Sequence, residues 1–148
     1  MHIRPSTARD ADRLAPLLGQ LGYPTAAATL APRLERLLSH PEYAVWVAEG
    51  DDGSLHGLAV GHVMFSVEGD GPAAQLTALV VDRSAQRTGL GRRLVENFEN
   101  WAGENAVVQV VVTSATHRAA AHAFYERLGY ELTGRRFGKR LVDPQTRP

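Results

Sequence analysis

A chain of 148 residues, 44% hydrophobic and 22% charged, can bury a sizeable core and has the composition of an ordinary globular domain. It has no cysteine, which excludes disulfides and thiol catalysis; no apolar run nears the roughly 18 residues of a membrane span, and MHIRPSTARD lacks the apolar core of a signal peptide, so a cytoplasmic location and no membrane partner are expected. Its net charge is zero, with Lys139 the sole lysine among 16 basic residues, so general nucleic-acid binding, which needs a basic footprint, is not expected.

Ile3 to Pro5 reads as a first strand. Thr7-Ala8-Arg9-Asp10 resembles a capping box. Ala11, Leu14, Leu17, Leu18 and Leu21 then recur at helical spacing, with a kink or break expected at Pro16. Gly22-Tyr23-Pro24 ends that helix. A second helix carries Leu30, Leu34, Leu37 and Leu38, with Thr29 as its cap and Pro32 in its first turn. Tyr43 to Glu49 is β-rich, and Asp51-Asp52-Gly53-Ser54 is a hairpin turn. Leu55 to Val67 reads as a longer strand, weakened by Gly57 and Gly61. After the loop Glu68–Pro72, Ala74 to Val81 is the next strand.

The stretch QRTGLGRR follows that strand. It precedes a helix with Leu90, Leu94, Phe98 and Trp101 on one face. Val107 to Thr113 is apolar on both faces and reads as a central strand. Ala119 to Leu128 is a helix, and Gly129 takes the C′ position where a left-handed residue ends it. Tyr130–Thr133 and Arg136–Arg140 are expected to be two last short strands. The tail after them is expected to fray. With no repeat and no linker, residues 1–148 read as a single domain of mixed α/β class.

The glycines of QRTGLGRR admit few phosphate-binding readings. A dinucleotide fingerprint needs GxGxxG, and Leu94 stands at the third place. No Walker segment GxxxxGK[ST] exists, which removes triphosphatase chemistry. A simpler device remains. Gly89 and Gly91 let the backbone turn sharply. The first N–H groups of the following helix lack internal partners, and the helix dipole there favours an anion. Arg87, Arg92 and Arg93 add full charges. This chemistry suits a pyrophosphate; a plain Arg-rich surface turn is the competing reading.

The second motif is HAFYERLGY, His122 to Tyr130. With it the chain resembles the GNAT N-acetyltransferase superfamily. Gln86, Gly89 and Gly91 match that family's Q/R-x-x-G-x-G/A. Ala121, Phe124, Tyr125, Gly129 and Tyr130 match its A-x-x-F-Y-x-x-x-G-F/Y block. The order of elements agrees over nearly the whole chain. The resemblance implies a GNAT-like mixed, mostly antiparallel twisted sheet of six to seven strands flanked by about four helices. It implies that acetyl-coenzyme A is the cosubstrate, its pyrophosphate wrapped by Gln86, Arg87, Thr88, Gly89, Leu90, Gly91 and Arg92. It also implies that Leu79, Val80 and Val81 pair their backbone with the pantetheine arm, and that strands 74–81 and 107–113 splay apart for the thioester. Many relatives have Asn where this chain has Arg118, beside His117; Arg118 either contacts phosphate or faces solvent. Homodimerisation is a family tendency.

A neutral amine must attack the thioester. A proton acceptor, an oxyanion donor and an acid for the leaving thiolate all assist. Tyr125 is the family's usual acid, and a phenol of pKa about 10 suffices for a thiolate. A backbone N–H near Leu79 or Val80 is the oxyanion donor. The base is open among Glu68, Asp70, His62, His117, His122 and a water chain, since the strand before the glycines offers Gln75 and Thr77 but no carboxylate. His62, among apolar neighbours, also reads as a packed core histidine, and His122 as a partner orienting Tyr125. No residue set has metal-ligand spacing, so no metal is expected. The resemblance also implies that the acceptor, expected to be a small-molecule amine, sits in a pocket built by the first two helices, their connection near Gly22 to Thr25 and the Glu68–Pro72 loop. Direct transfer in a ternary complex is expected. The rivals are a non-catalytic acyl-coenzyme A sensing module and acetylation of a peptide, protein or aminoacyl-tRNA amine.

Overall fold

The structure, a computed structural model, describes residues 1–113 and 119–143. The chain divides into two units, Met1–Val112 and Thr113–Pro148. In the first, β1 (His2–Pro5), β2 (Tyr43–Glu49), β3 (Leu55–Met64), β4 (Ala73–Val81) and β5 (Gln109–Val112) form one sheet in chain order. Successive strands from β1 to β4 are antiparallel, and β5 runs parallel to β4. The helices are α1 (Ala11–Leu21), α2 (Ala27–Leu38) and α3 (Leu90–Glu104).

Strand alternation sorts the core into two layers. Val45 and Val47 of β2, Leu58 and Val60 of β3 and Val80 of β4 meet Leu14 and Leu17 of α1 and Leu30 and Leu34 of α2. On the opposite face α3 buries Leu90, Leu94, Val95, Phe98 and Ala102. Trp101 meets Trp46 edge-on, with ring centroids 5.3 Å apart. The glycines of β3 admit this layer. A Cβ on Gly61 would stand 2.8 Å from Trp101 Cζ3 and 2.9 Å from Phe98 Cδ2. Gly61→Ala is therefore expected to overpack the α3 face and cost about 1–3 kcal/mol, read as a lower denaturant midpoint with an unchanged m-value.

Several expectations need correction. Pro16 does not break α1, which runs through it to a left-handed Gly22. Pro32 lies in the second turn of α2, not the first, and Ala26 rather than Thr29 is the N-cap. β3 ends at Met64, three residues short of Val67. β5 is not central: it is the last strand of the described sheet. Nor do Tyr130–Thr133 and Arg136–Arg140 form strands among the described residues, so the sheet has five strands and not six to seven. A strand is a pairing, and β propensity in so short a segment supplies no partner.

The second unit holds α4 (Ala119–Arg127). Gly129 is left-handed at φ 90°, and the Tyr130 N–H reaches back to the Tyr125 carbonyl at 3.0 Å. That is the helix ending expected of a C′ glycine.

Candidate functional site

β4 carries the site's first half. β5 pairs with Ala73 to Leu76 and no further. Among the described residues, β4 from Thr77 to Val81 therefore has a strand neighbour on one side only, β3. Thr77 is an extra residue in that ladder: Val60 pairs with Ala78 and Gly61 with Leu76. This bulge resets the alternation. The Asp82 N–H donates to the His56 carbonyl at 2.8 Å. Counting back by two, Val80 turns its backbone groups to β3, while Leu79 and Val81 turn theirs to the open edge. The Gln86 amide reaches the Val81 carbonyl on that edge at 3.5 Å. Of the two candidate oxyanion donors, Leu79 thus presents its N–H outward and Val80 does not.

The loop after β4 is braced. Asp82 caps a short 3-10 turn, Arg83–Ala85, by accepting from the Ser84 N–H and hydroxyl. Gln20 of α1 clamps it, donating to Asp82 at 2.7 Å and accepting from the Arg83 N–H at 3.0 Å. These bonds hold the Asp82 carboxyl below its usual range, the Ser84 hydroxyl first among them. The Asp-x-Ser spacing was a legible cap signal, but the Gln20 partner, 62 residues away, was not.

Two left-handed residues then turn the chain. Arg87 has φ 61° and Gly89, the N-cap of α3, φ 85°. Arg87 pays for that conformation with about 1–2 kcal/mol of strain, whereas Gly89 adopts it freely. The Thr88 hydroxyl donates to the Ala85 carbonyl. The first helical bond of α3 runs from the Arg93 N–H to the Gly89 carbonyl at 3.1 Å. The N–H groups of Leu90, Gly91 and Arg92 precede it, so they belong to the open first turn. Arg92 pairs with Glu96 at 3.0 Å on the exposed helix surface. An anion at this turn would meet backbone donors, the positive end of a 15-residue helix and the exposed guanidinium groups of Arg87, Arg92 and Arg93.

The structure thus brings Leu79, Val80, Val81 and the segment Gln86 to Arg92 into one continuous path in the first unit. Tyr125 belongs to the second unit, where its ring contacts Phe124 at 5.2 Å and Tyr130 at 5.8 Å. His122 is one turn before it on α4. His117 and Arg118 lie outside the described residues. Glu68 and Asp70 are exposed in the β3–β4 loop. His62 is half-buried on β3, and the Tyr43 ring stacks on it with centroids 4.1 Å apart and an interplanar angle of 8°. Among the described residues no group of three or more His, Asp or Glu is arranged to hold a metal ion, and no helix is long and apolar enough to cross a membrane.

Comparison with known proteins adds the following. The acetyltransferase (GNAT) family model matches residues 13–130. Among curated proteins, none matches the sequence. Of solved structures, a putative acetyltransferase from Agrobacterium tumefaciens superposes with TM-score 0.84 at 21% identity, covering 95% of this chain and 99% of that one. A glucosamine-6-phosphate N-acetyltransferase from Arabidopsis thaliana gives 0.82 at 20%, covering 95% and 98%. An aminoglycoside antibiotic 6'-N-acetyltransferase from Acinetobacter haemolyticus gives 0.80 at 18%, covering 97% and 100%. At these identities the superpositions establish the fold.

Proposed function

This chain belongs to the acetyltransferase (GNAT) family and is an acetyltransferase, and from that premise we propose that it moves an acetyl group from acetyl-coenzyme A to a small-molecule amine by direct attack in a ternary complex. The observation that carries this reading is the edge of β4 from Thr77 to Val81, which has no strand partner on that side among the described residues, running into the open first turn of α3. The Leu79 and Val81 backbone groups offer a ladder for the amide-rich pantetheine arm. The N–H groups of Leu90, Gly91 and Arg92 take the pyrophosphate, with Gln86, Arg87 and Thr88 shaping the loop. The family match runs through both units, which supports treating residues 1–148 as one domain.

The chain's own groups would act as follows. The Leu79 N–H stabilises negative charge growing on the thioester oxygen as the amine attacks. The new C–N bond forms as the C–S bond breaks, and the Tyr125 hydroxyl gives its proton to the departing sulfur. No cysteine exists to carry an acyl-enzyme.

Tyr125→Phe is expected to lower kcat for thiol release by about 100-fold, the range of a lost general acid. Its acetyl-coenzyme A affinity by calorimetry should stay within about twofold of native, because a rate effect without a binding effect marks a group used in the transition state. Unchanged turnover would remove Tyr125 from the mechanism. Native protein that binds the cofactor but acetylates no amine would favour the sensing module instead. The glucosamine-6-phosphate and aminoglycoside enzymes that share this fold make amino sugars a sensible first acceptor panel.

A further inference from the structure

We propose that His62 is the base that takes the acceptor amine's proton, from a half-buried row of the sheet at the margin of the α1–α2 core. The proposal rests on the acetyl-transfer reading above. Even-numbered residues of β3 face the α1–α2 layer, because Leu58 and Val60 join its core while Gly57 and Gly61 back onto α3. Tyr43 of β2 and Ala78 of β4 pack at the margin of that core. At this margin Tyr43, His62 and Gln75 stand side by side across three strands. All three are half-buried rather than sealed. The row continues to Val111 of β5, one residue before the β5 ladder stops at Leu76; the Thr77 bulge and the open edge of β4 follow.

Within that row only His62 suits the task. Gln75 is an amide and takes no proton near neutrality. The Thr77 hydroxyl donates to the Val60 carbonyl at 3.3 Å. Among the described residues, the titratable groups on this side of the imidazole are the Tyr43 phenol stacked on it and, beyond Tyr43, His40 and Glu42, which face each other at 3.6 Å. The parallel stack fixes the ring plane and leaves its nitrogens at the ring edge. His56, by contrast, is engaged by the Ser54 hydroxyl at 2.9 Å, near the far end of β3.

His62 is three residue steps along β3 from Ala59, the partner of Leu79. That is roughly 10 Å along the strand. The ammonium group therefore loses one proton to a water held beside this row, and that water passes one on to the imidazole. The amine then attacks with its lone pair; as the C–S bond breaks, the new amide nitrogen sheds its second surplus proton, which replaces the one Tyr125 gave to sulfur, and the imidazolium releases its proton to solvent after transfer.

The test uses small amines at high concentration, so that the native acceptor need not be known. Ethanolamine is protonated at neutral pH and requires a base; hydroxylamine is already largely neutral and does not. His62→Gln should cut thiol release with ethanolamine at neutral pH by about 100-fold and replace the low-pH limb of its kcat/KM profile with one that follows the amine's own ionisation. With hydroxylamine the loss should be less than about tenfold, within what a misplaced side chain costs. Acetyl-coenzyme A affinity should be unchanged, which also shows that the variant is folded. The double variant His62→Gln, Gln75→Glu puts a carboxylate on the adjacent strand at the same register. It should recover rate, with the limb moved down toward the carboxylate range. An equal loss with both amines, or none with either, overturns the proposal while leaving the transferase reading intact. Cofactor binding without turnover of either amine by the native protein overturns both.

Discussion

Gly89→Glu is expected to abolish acetyl-coenzyme A binding, weakening it by at least about 100-fold, or roughly 2.7 kcal/mol. Gly89 is the N-cap of α3 and sits at φ 85°. A Cβ there would meet nothing within 4 Å. The side chain is therefore not refused by packing. The loss has two other sources: any L-residue pays about 1–2 kcal/mol for the left-handed conformation, and a carboxylate occupies the helix end that would hold phosphate. Gly89→Asn separates them. Asparagine tolerates the left-handed region and carries no charge, so it should keep affinity within about tenfold. Calorimetry of all three proteins, with unfolding curves beside it, reads the difference. Native-like affinity in the glutamate variant would mean that the pyrophosphate is held elsewhere.

The second large effect is on stability. Asp10 is 1% exposed yet ionised. Its carboxylate accepts from Arg4 at 2.8 and 3.0 Å, from Arg13 at 2.6 Å, from the Ser6 hydroxyl at 3.1 Å and from the Thr7 N–H at 2.8 Å. Both arginines also bind Glu49, at 2.7 and 2.8 Å. This network ties β1, α1 and the end of β2 together. Burial opposes the charge on Asp10, but the bonds from Arg4, Thr7 and Ser6 outweigh it and hold its pKa well below the usual carboxylate range. Hydrogen bonds from Arg4 and Arg13 lower that of Glu49 to about 2. Asp10→Ala removes the hub and strands its donors. It should cost roughly 3 kcal/mol, at the lower end for a broken buried pair because Arg4 and Arg13 keep access to water.

The same bonds set an acid limit. Both carboxyls titrate lower in the folded protein than in the unfolded chain. Their stabilisation is complete above the unfolded values, near pH 4, and is lost as pH falls toward 2 and below. Chemical denaturation from pH 6 to pH 2.5 should show this decline in the native protein. It should be shallower in Asp10→Asn, which has one fewer proton to take up. Parallel slopes would remove Asp10 as the acid-sensitive group.

Most local signals, the proline and cap readings in α1 and α2 excepted, were read well where one segment supplies all the physics. The heptad-like rows of α1, α2 and α3, the turn at Gly53, the Thr7–Asp10 box and the Gly129 helix ending depend on neighbours within one or two turns. Segments whose state depends on a distant partner were read less well. Val107 to Thr113 has the composition of a central strand, yet β5 keeps four of those residues and lies last in the described sheet. Gly57 and Gly61 read as weaknesses in β3. They are the space into which Leu94, Phe98 and Trp101 fit. His62 carried no local mark separating a sealed core histidine from a half-buried one at the core's margin.

The family, the glycine turn into α3 and the aromatic block of α4 are legible in the bare chain, because each is written in contiguous residues at fixed spacing. Folding was needed to reveal that β5 releases β4 after Leu76, that Leu79 and not Val80 turns its N–H to the open edge, and that Gln20 and Asp82 brace the loop. Strand register, a one-residue bulge and a contact across 62 residues are properties of pairing between segments. A bulge shifts the direction of every later backbone group by one step, and the composition of the strand that carries it gives no sign of where that step occurs.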